Sequence, residues 1–88
     1  MSPVEVERRG RITVVSIHRE HKRNAVSAEV TAGIDAAFND FEDDPDQWVA
    51  ILTGTGDLFS AGTDLIEGPG ERTARGGDYG LIRRARSK

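Results

Sequence analysis

Phe59-Ser-Ala-Gly-Thr-Asp64 follows an apolar run, Trp48 to Leu52, and a glycine-spaced link, Gly54-Thr-Gly56. Small residues where a strand ends leave backbone N–H groups free to meet a ligand. An N–H directed into a pocket is the donor that a developing oxyanion requires. The segment reads as a candidate oxyanion-binding loop, with the backbone supplying the chemistry. Other chemistries fit these residues poorly. A dinucleotide loop of the form G-x-G-x-x-G fails at Phe59, and no helix period follows directly. Gly54 to Leu65 contains no basic residue, so there is no phosphate-loop lysine. A nucleophile elbow requires glycine where Leu58 stands. His18 and His21 flank Arg19-Glu20 in a polar loop, without the spacing of a zinc-binding helix, and no metal site is expected.

The elements that must position this loop are legible upstream. Val4 to Arg8 alternates apolar and charged residues, the period of a half-exposed strand. Arg9-Gly10-Arg11 is a turn signal, and Ile12 to Ile17 is a β-branched run with a more buried face. The two are expected to form a hairpin. A polar loop, His18 to Asn24, leads to Ser27, a good helix N-cap, with Glu29 near the positive end of the dipole. Val30 stands where a capping box would place Glu or Gln. Val26, Val30, Ile34, Ala37, Phe38 and Phe41 then make one apolar stripe, predicting a helix that ends near Phe41. Trp48 to Thr53 predicts a third strand, covered on both faces and parallel to its helix-linked neighbour. Gly68-Pro-Gly70 and Gly76-Gly77 mark residues 68–80 as a mobile loop. Residues 81–88 predict the start of another helix, with Leu81, Ile82 and Ala85 on one side. The fold class is α/β.

A chain of 88 residues is one small domain at most. At this size folding buries only about two-thirds of the unfolded surface, so a lone core is marginal. Charged residues are 31% of the chain, aromatics number five, and there is no cysteine to add a disulfide or thiolate site. That favours a domain needing a partner, or part of a larger one. The apolar runs are too short for a membrane span or signal peptide, and the N-terminus lacks a basic region. A cytoplasmic protein is expected. Net charge is −3, which argues weakly against nucleic acid. Acids dominate from Glu29 to Asp46 and bases from Glu71 to Lys88. The basic tail could meet RNA, but reads more simply as a solvated end.

Three pieces of the chain together resemble the crotonase family, also called enoyl-CoA hydratase/isomerase. They are Arg19 with Arg23-Asn24-Ala25-Val26-Ser27 after the hairpin, Val49-Ala-Ile-Leu-Thr-Gly54, and Phe59-Ser-Ala-Gly-Thr-Asp-Leu65. The resemblance covers residues 4–67, and the third piece is the most specific. It implies the N-terminal part of a crotonase-like ββα spiral fold, with 1–88 an incomplete domain. It also implies an acyl-CoA or enoyl-CoA partner, with coenzyme A as part of the substrate and no separate cofactor. By its place in the motif, Thr63 N–H is the first oxyanion donor. Ala61 and Gly62 allow close approach of the thioester, and the backbone around Ala61 and Leu65 meets the adenine. Ala25 and Val26 line the coenzyme A groove, and Lys22 or Arg23 meets a phosphate. Asp64 belongs to the same coenzyme A-binding stretch, where its carboxylate is expected to hold the loop through local backbone hydrogen bonds. The chain departs from the family where proline usually follows the first-loop arginine, since Glu20 stands there.

Family members are about three times as long. Their second oxyanion glycine and catalytic glutamates are expected beyond residue 88, so the chain alone is expected to be inactive. The first reading is therefore part of an enoyl-CoA hydratase/isomerase-like enzyme, from a family that assembles as homo-trimers or hexamers. The second is a non-catalytic truncated homologue that binds coenzyme A or co-assembles with full-length subunits.

Overall fold

A computed structural model describes residues 2–84. Its order is β1 (Val4–Arg9), β2 (Ile12–Ile17), a 3-10 turn (Glu20–Lys22), α1 (Ala28–Asp43), β3 (Val49–Gly54) and a second 3-10 turn (Asp78–Gly80). The α/β class and the hairpin–helix–strand order are those expected. The sheet runs β1-β2-β3, with β1 antiparallel and β3 parallel to β2. Val15 pairs with both Val6 and Leu52, which makes β2 the central strand.

Alternation along β2 directs Thr13, Val15 and Ile17 to one face. All three are buried there. The stripe of α1 covers that face with Val30, Ile34, Ala37 and Phe41. Val4, Val26 and part of Leu52 complete the core, and Tyr79 and Leu81 pack on it from the C-terminal segment. Fully burying side chains of this size stabilises by roughly 1.5–3 kcal/mol each. Buried polar groups at the lower end of the sheet are paired. Thr13 Oγ1 donates to Gln47 Oε1 at 2.7 Å, and Gln47 Nε2 donates to Gly10 O at 2.8 Å.

Ser27 caps α1, its hydroxyl accepting the Val30 N–H at 3.4 Å. The helix continues past Phe41 to Asp43. Acids at a helix C-terminus are unfavourable, but here two arginines from the tail neutralise them. Arg75 pairs with Glu42 and Asp43 at 3.0 and 3.1 Å. Arg84 pairs with Asp35 and Glu42 at 2.8 and 2.7 Å and lies over the Phe38 ring. Arg75 and Arg84 of the basic tail thus find their counter-charges on α1, which departs from the expected solvated end.

Two further expectations need correction. β3 is not covered on both faces among the described residues: Val49 and Ile51 are about half exposed, at 52% and 46%. The helix lies on one side of the sheet only, so β3 follows the single-sided alternation of β2. No regular helix begins at Leu81. The chain makes a 3-10 turn at Asp78–Gly80, and Leu81 takes a non-helical backbone after it. Ala85 and the rest of the expected helix lie outside the described residues.

This packing predicts a sharp contrast in urea unfolding. Ile34→Ala is expected to cost about 2–5 kcal/mol, because the side chain is enclosed. Ile51→Thr on the open face is expected to stay within about 0.5 kcal/mol. Equal losses would contradict the one-sided core.

Candidate functional site

The site lies where the chain leaves β2 and β3, and it is built from two loops laid side by side. After β2, Arg23 and Asn24 both adopt left-handed backbone, φ 56 and 57. Asparagine tolerates that region better than most residues. The turn sends Ala25 and Val26 alongside the loop that follows β3. Ala61 N–H donates to Arg23 O at 2.9 Å, Val26 N–H to Gly62 O at 2.7 Å, and Asp64 N–H to Val26 O at 2.9 Å. Val26 and Thr63 therefore form a parallel bridge. In such a ladder the residue opposite uses both of its own backbone groups, and its partner uses neither. Val26 is the residue that bonds. Thr63 N–H and C=O are directed to the opposite side, and no hydrogen bond holds that N–H among the described residues.

Gly62 has φ +93, a backbone that side chains rarely adopt, so glycine is needed for conformation even though a Cβ would have open space. At Gly54 the demand is proximity. A Cβ there would collide with the Phe59 carbonyl and the Asn24 amide.

Side chains lock the two loops together. Asn24 is almost fully buried. Its Oδ1 accepts the Arg19 N–H at 2.8 Å, and its Nδ2 donates to Thr55 O and Leu58 O at 2.8 and 2.7 Å. Ser60 Oγ donates to Asn24 O at 2.7 Å and accepts the Gly62 N–H at 3.0 Å. Arg19 is also buried. Its Nη1 donates to Asp64 Oδ2 at 2.8 Å and Ala25 O at 3.1 Å, and its Nη2 to Glu67 Oε2 at 2.6 Å. Asp64 Oδ1 accepts the N–H groups of Ile66 and Glu67 at 2.9 and 2.8 Å. The local backbone bonds expected of Asp64 are thus present, together with an ion pair whose partner lies 45 positions away.

Of the residues singled out in the sequence, Ala25, Val26, Ala61, Gly62, Thr63 and Asp64 come together in this ladder. Leu65 follows it with its side chain 95% exposed. Lys22 and Arg23 point their side chains to solvent, and neither forms an ion pair among the described residues. An apolar cavity of about 250 Å³ adjoins the ladder, lined by Val26, Ile34, Leu52, Phe59, Gly62 and Tyr79 among others. The Tyr79 hydroxyl is hydrogen-bonded to Thr63 Oγ1. Among the described residues no cluster of His, Cys, Asp or Glu could hold a metal ion, and no helix is long and apolar enough to cross a membrane.

Sequence reasoning passed over Asn24 as a structural hub, and took Tyr79 only as one of five aromatic anchors. The left-handed preference of asparagine after a polar turn was a usable signal for Asn24. Tyr79 offered none, since its partner Thr63 is fixed only by the fold.

The Asp64 carboxyl is held at about 2, below its ordinary 3.8. The Glu67 N–H is the largest cause, followed by the Arg19 guanidinium and the Ile66 N–H. The Arg19 guanidinium is raised in turn, chiefly by its hydrogen bond to Asp64. A depressed carboxyl contributes stability that is complete above pH 3.8 and is lost as the pH falls through about 2. Asp64→Asn is expected to flatten unfolding free energy over that window, with both proteins measured by urea titration at each pH. Unchanged acid dependence would show that Asp64 does not carry it. Asn24→Ala is expected to cost about 2–4 kcal/mol, because it strands two carbonyls and an N–H.

Comparison with known proteins agrees with this fold. The family model for enoyl-CoA hydratase/isomerase matches residues 7–83. An enoyl-CoA hydratase of Mycobacterium tuberculosis, EchA19, is 38% identical over 81 residues, which are 89% of this chain and 30% of that protein. A putative enoyl-CoA hydratase of Thermus thermophilus is 40% identical over 62 residues, 70% of this chain and 24% of the relative. A crystal structure of an enoyl-CoA hydratase from M. tuberculosis superposes with a TM-score of 0.72 at 43% identity, covering 74% of this chain and 26% of that one. A probable enoyl-CoA hydratase/isomerase from Mycobacterium abscessus gives 0.74 at 39% identity, covering 76% and 27%. The chain thus spans less than a third of the length of these relatives. With the hairpin, helix and strand in the order those structures share, the chain belongs to the enoyl-CoA hydratase/isomerase, or crotonase, family.

Proposed function

We propose that this chain carries the acyl-CoA-binding half of an oxyanion hole. Thr63 N–H donates to the thioester carbonyl oxygen of an acyl-CoA or enoyl-CoA as negative charge develops there. The observation that carries this reading is the direction of Thr63 N–H, turned away from the Val26 ladder while its neighbours are bonded into it. A preorganised donor of this type lowers a barrier by roughly 3–4 kcal/mol. Ala61 and Gly62, both exposed, leave the approach clear. The backbone around Ala61 and Leu65 meets the adenine, and Ala25 and Val26 form the wall of the groove. Lys22 and Arg23 are free to meet coenzyme A phosphates.

The parent reaction is of the hydratase/isomerase type, with water added across the 2,3 double bond of an enoyl-CoA in the hydratase case. In the family, the second donor is a glycine from another strand-to-helix turn, and the acid and base are glutamates of a later helix. These residues supply none of those groups, so the chain alone is proposed to bind without turnover. Homo-trimeric or hexameric assembly and a cytoplasmic location belong to the same proposal.

A second reading has its own support. β3 pairs on one side only among the described residues, and its own Val49 and Ile51 are exposed, as is Ile12 of β2. Unpaired strand edges seek partners, so a non-catalytic homologue that docks on full-length subunits fits this surface. A stable, folded monomer in size-exclusion chromatography, even when mixed with such subunits, would count against docking.

The binding reading is tested by amide NMR of the 88-residue chain. Butyryl-CoA is expected to move the Thr63 amide proton downfield. Coenzyme A alone should perturb Lys22, Arg23 and Leu65 but leave Thr63 in place. A Thr63 resonance indifferent to butyryl-CoA would refute the assignment. A hydration assay with crotonyl-CoA is expected to show no turnover above background, and ordinary turnover would overturn the claim of inactivity.

A further inference from the structure

Tyr79 stands out by its backbone and by its partner. It adopts left-handed geometry, φ 59 and ψ 10, inside the short turn Asp78–Gly80. A non-glycine residue in that region is strained and persists only where its surroundings over-determine it. Those surroundings are unusually complete. Gly80 packs so closely on α1 that a Cβ would meet the backbone of Thr31 and Asp35. Arg84 Nε donates to Gly80 O at 2.8 Å. The same guanidinium reaches Asp35 and Glu42 on α1, with the Arg84 side chain only 8% exposed. Gly80 N–H donates to Gly77 O at 3.2 Å, closing the turn. The result is a strap, clamped to the acidic face of α1, that presents one aromatic ring to the apolar cavity.

At the end of that ring the hydroxyl bonds Thr63 Oγ1. Thr63 is the residue whose own N–H is not held by the Val26 ladder. Its peptide is fixed on the ladder side by the bonds of Gly62 and Asp64. On the other side the Tyr79 hydroxyl is its hydrogen-bonded anchor. The phenol also places a polar point on an otherwise mainly apolar wall, where a hydroxyl without a partner would be unfavourable.

We infer that Tyr79 is a positioning residue for the Thr63 N–H. Its hydroxyl holds the Thr63 side chain, and the clamped strap thereby restrains that N–H in the outward direction the ladder gives it. This rests on the acyl-CoA reading for its functional consequence, but not for its structural one. The strain at Tyr79 then has a use, since an extended or helical backbone at that position would carry the ring away from Thr63.

The experiment compares the full chain with Tyr79→Phe, which keeps the ring and removes the hydroxyl. Two quantities are read: the NMR order parameter of the Thr63 N–H, and the ratio of affinities for butyryl-CoA and coenzyme A. The wild-type order parameter is expected near the rigid value of about 0.85, falling toward about 0.6 in Tyr79→Phe. The affinity ratio is expected to fall roughly threefold to tenfold, with binding of coenzyme A itself unchanged. Thr63→Val, which removes the partner hydroxyl, should reproduce both effects. A Tyr79→Phe chain with Thr63 as rigid as in the wild type would overturn the inference. If the wild type does not distinguish butyryl-CoA from coenzyme A, the acyl-CoA reading fails, while the order parameter still decides whether Tyr79 holds the loop.

Discussion

The buried guanidinium of Arg19 is the constraint on which the site depends. It lies at the end of β2 and reaches Asp64, Glu67 and the Ala25 carbonyl at once. Taking such a charge out of water is costly, and removing one partner of a buried pair is far more damaging than its net worth suggests. That asymmetry enforces one arrangement of the two loops. Asn24 completes the enforcement from the other side, since its amide bridges the Arg19 backbone to the carbonyls of Thr55 and Leu58. With both locks closed, the segments 23–26 and 61–64 have little choice but to pair as a short parallel ladder.

The chemistry follows from a consequence of pairing. A ladder that uses Val26 fully must turn the N–H of Thr63 outward. The donor is thus produced by backbone geometry, and the threonine side chain is free for another purpose, its bond to Tyr79. The core contributes rigidity beneath. Val30 and Ile34 of α1 share one buried cluster with Val15 and Ile17 of β2. Arg75 and Arg84 then fold the C-terminal strap back onto the same helix. Helix, sheet and strap therefore converge on one peptide unit.

Local pattern carried much of this fold in the sequence. The hairpin was legible because Val4 to Arg8 alternates and the β-branched run Ile12 to Ile17 follows a glycine turn, and α1 because its stripe and Ser27 cap are both local signals. The close approach of Arg23–Val26 to Ala61–Asp64 was accessible only through family resemblance, since nothing periodic links the two segments. β3 misled for a physical reason. Its consecutive apolar residues are the composition of a strand covered on both faces, whereas these residues supply a layer for one face only. Arg19, Asn24, Gln47 and Tyr79 were underread because each finds a partner far away in the chain. Arg84 is the plainest case: a charge that looked solvated proved to be nearly enclosed by acids from a distant helix.

The central claim is that Thr63 N–H is a thioester donor made by the ladder. Its most direct test is a crystal structure of the chain with butyryl-CoA bound. The account predicts the thioester oxygen about 2.7–3.1 Å from Thr63 N, with the Val26 ladder unchanged. A thioester bound elsewhere, with Thr63 N–H facing solvent, would contradict it.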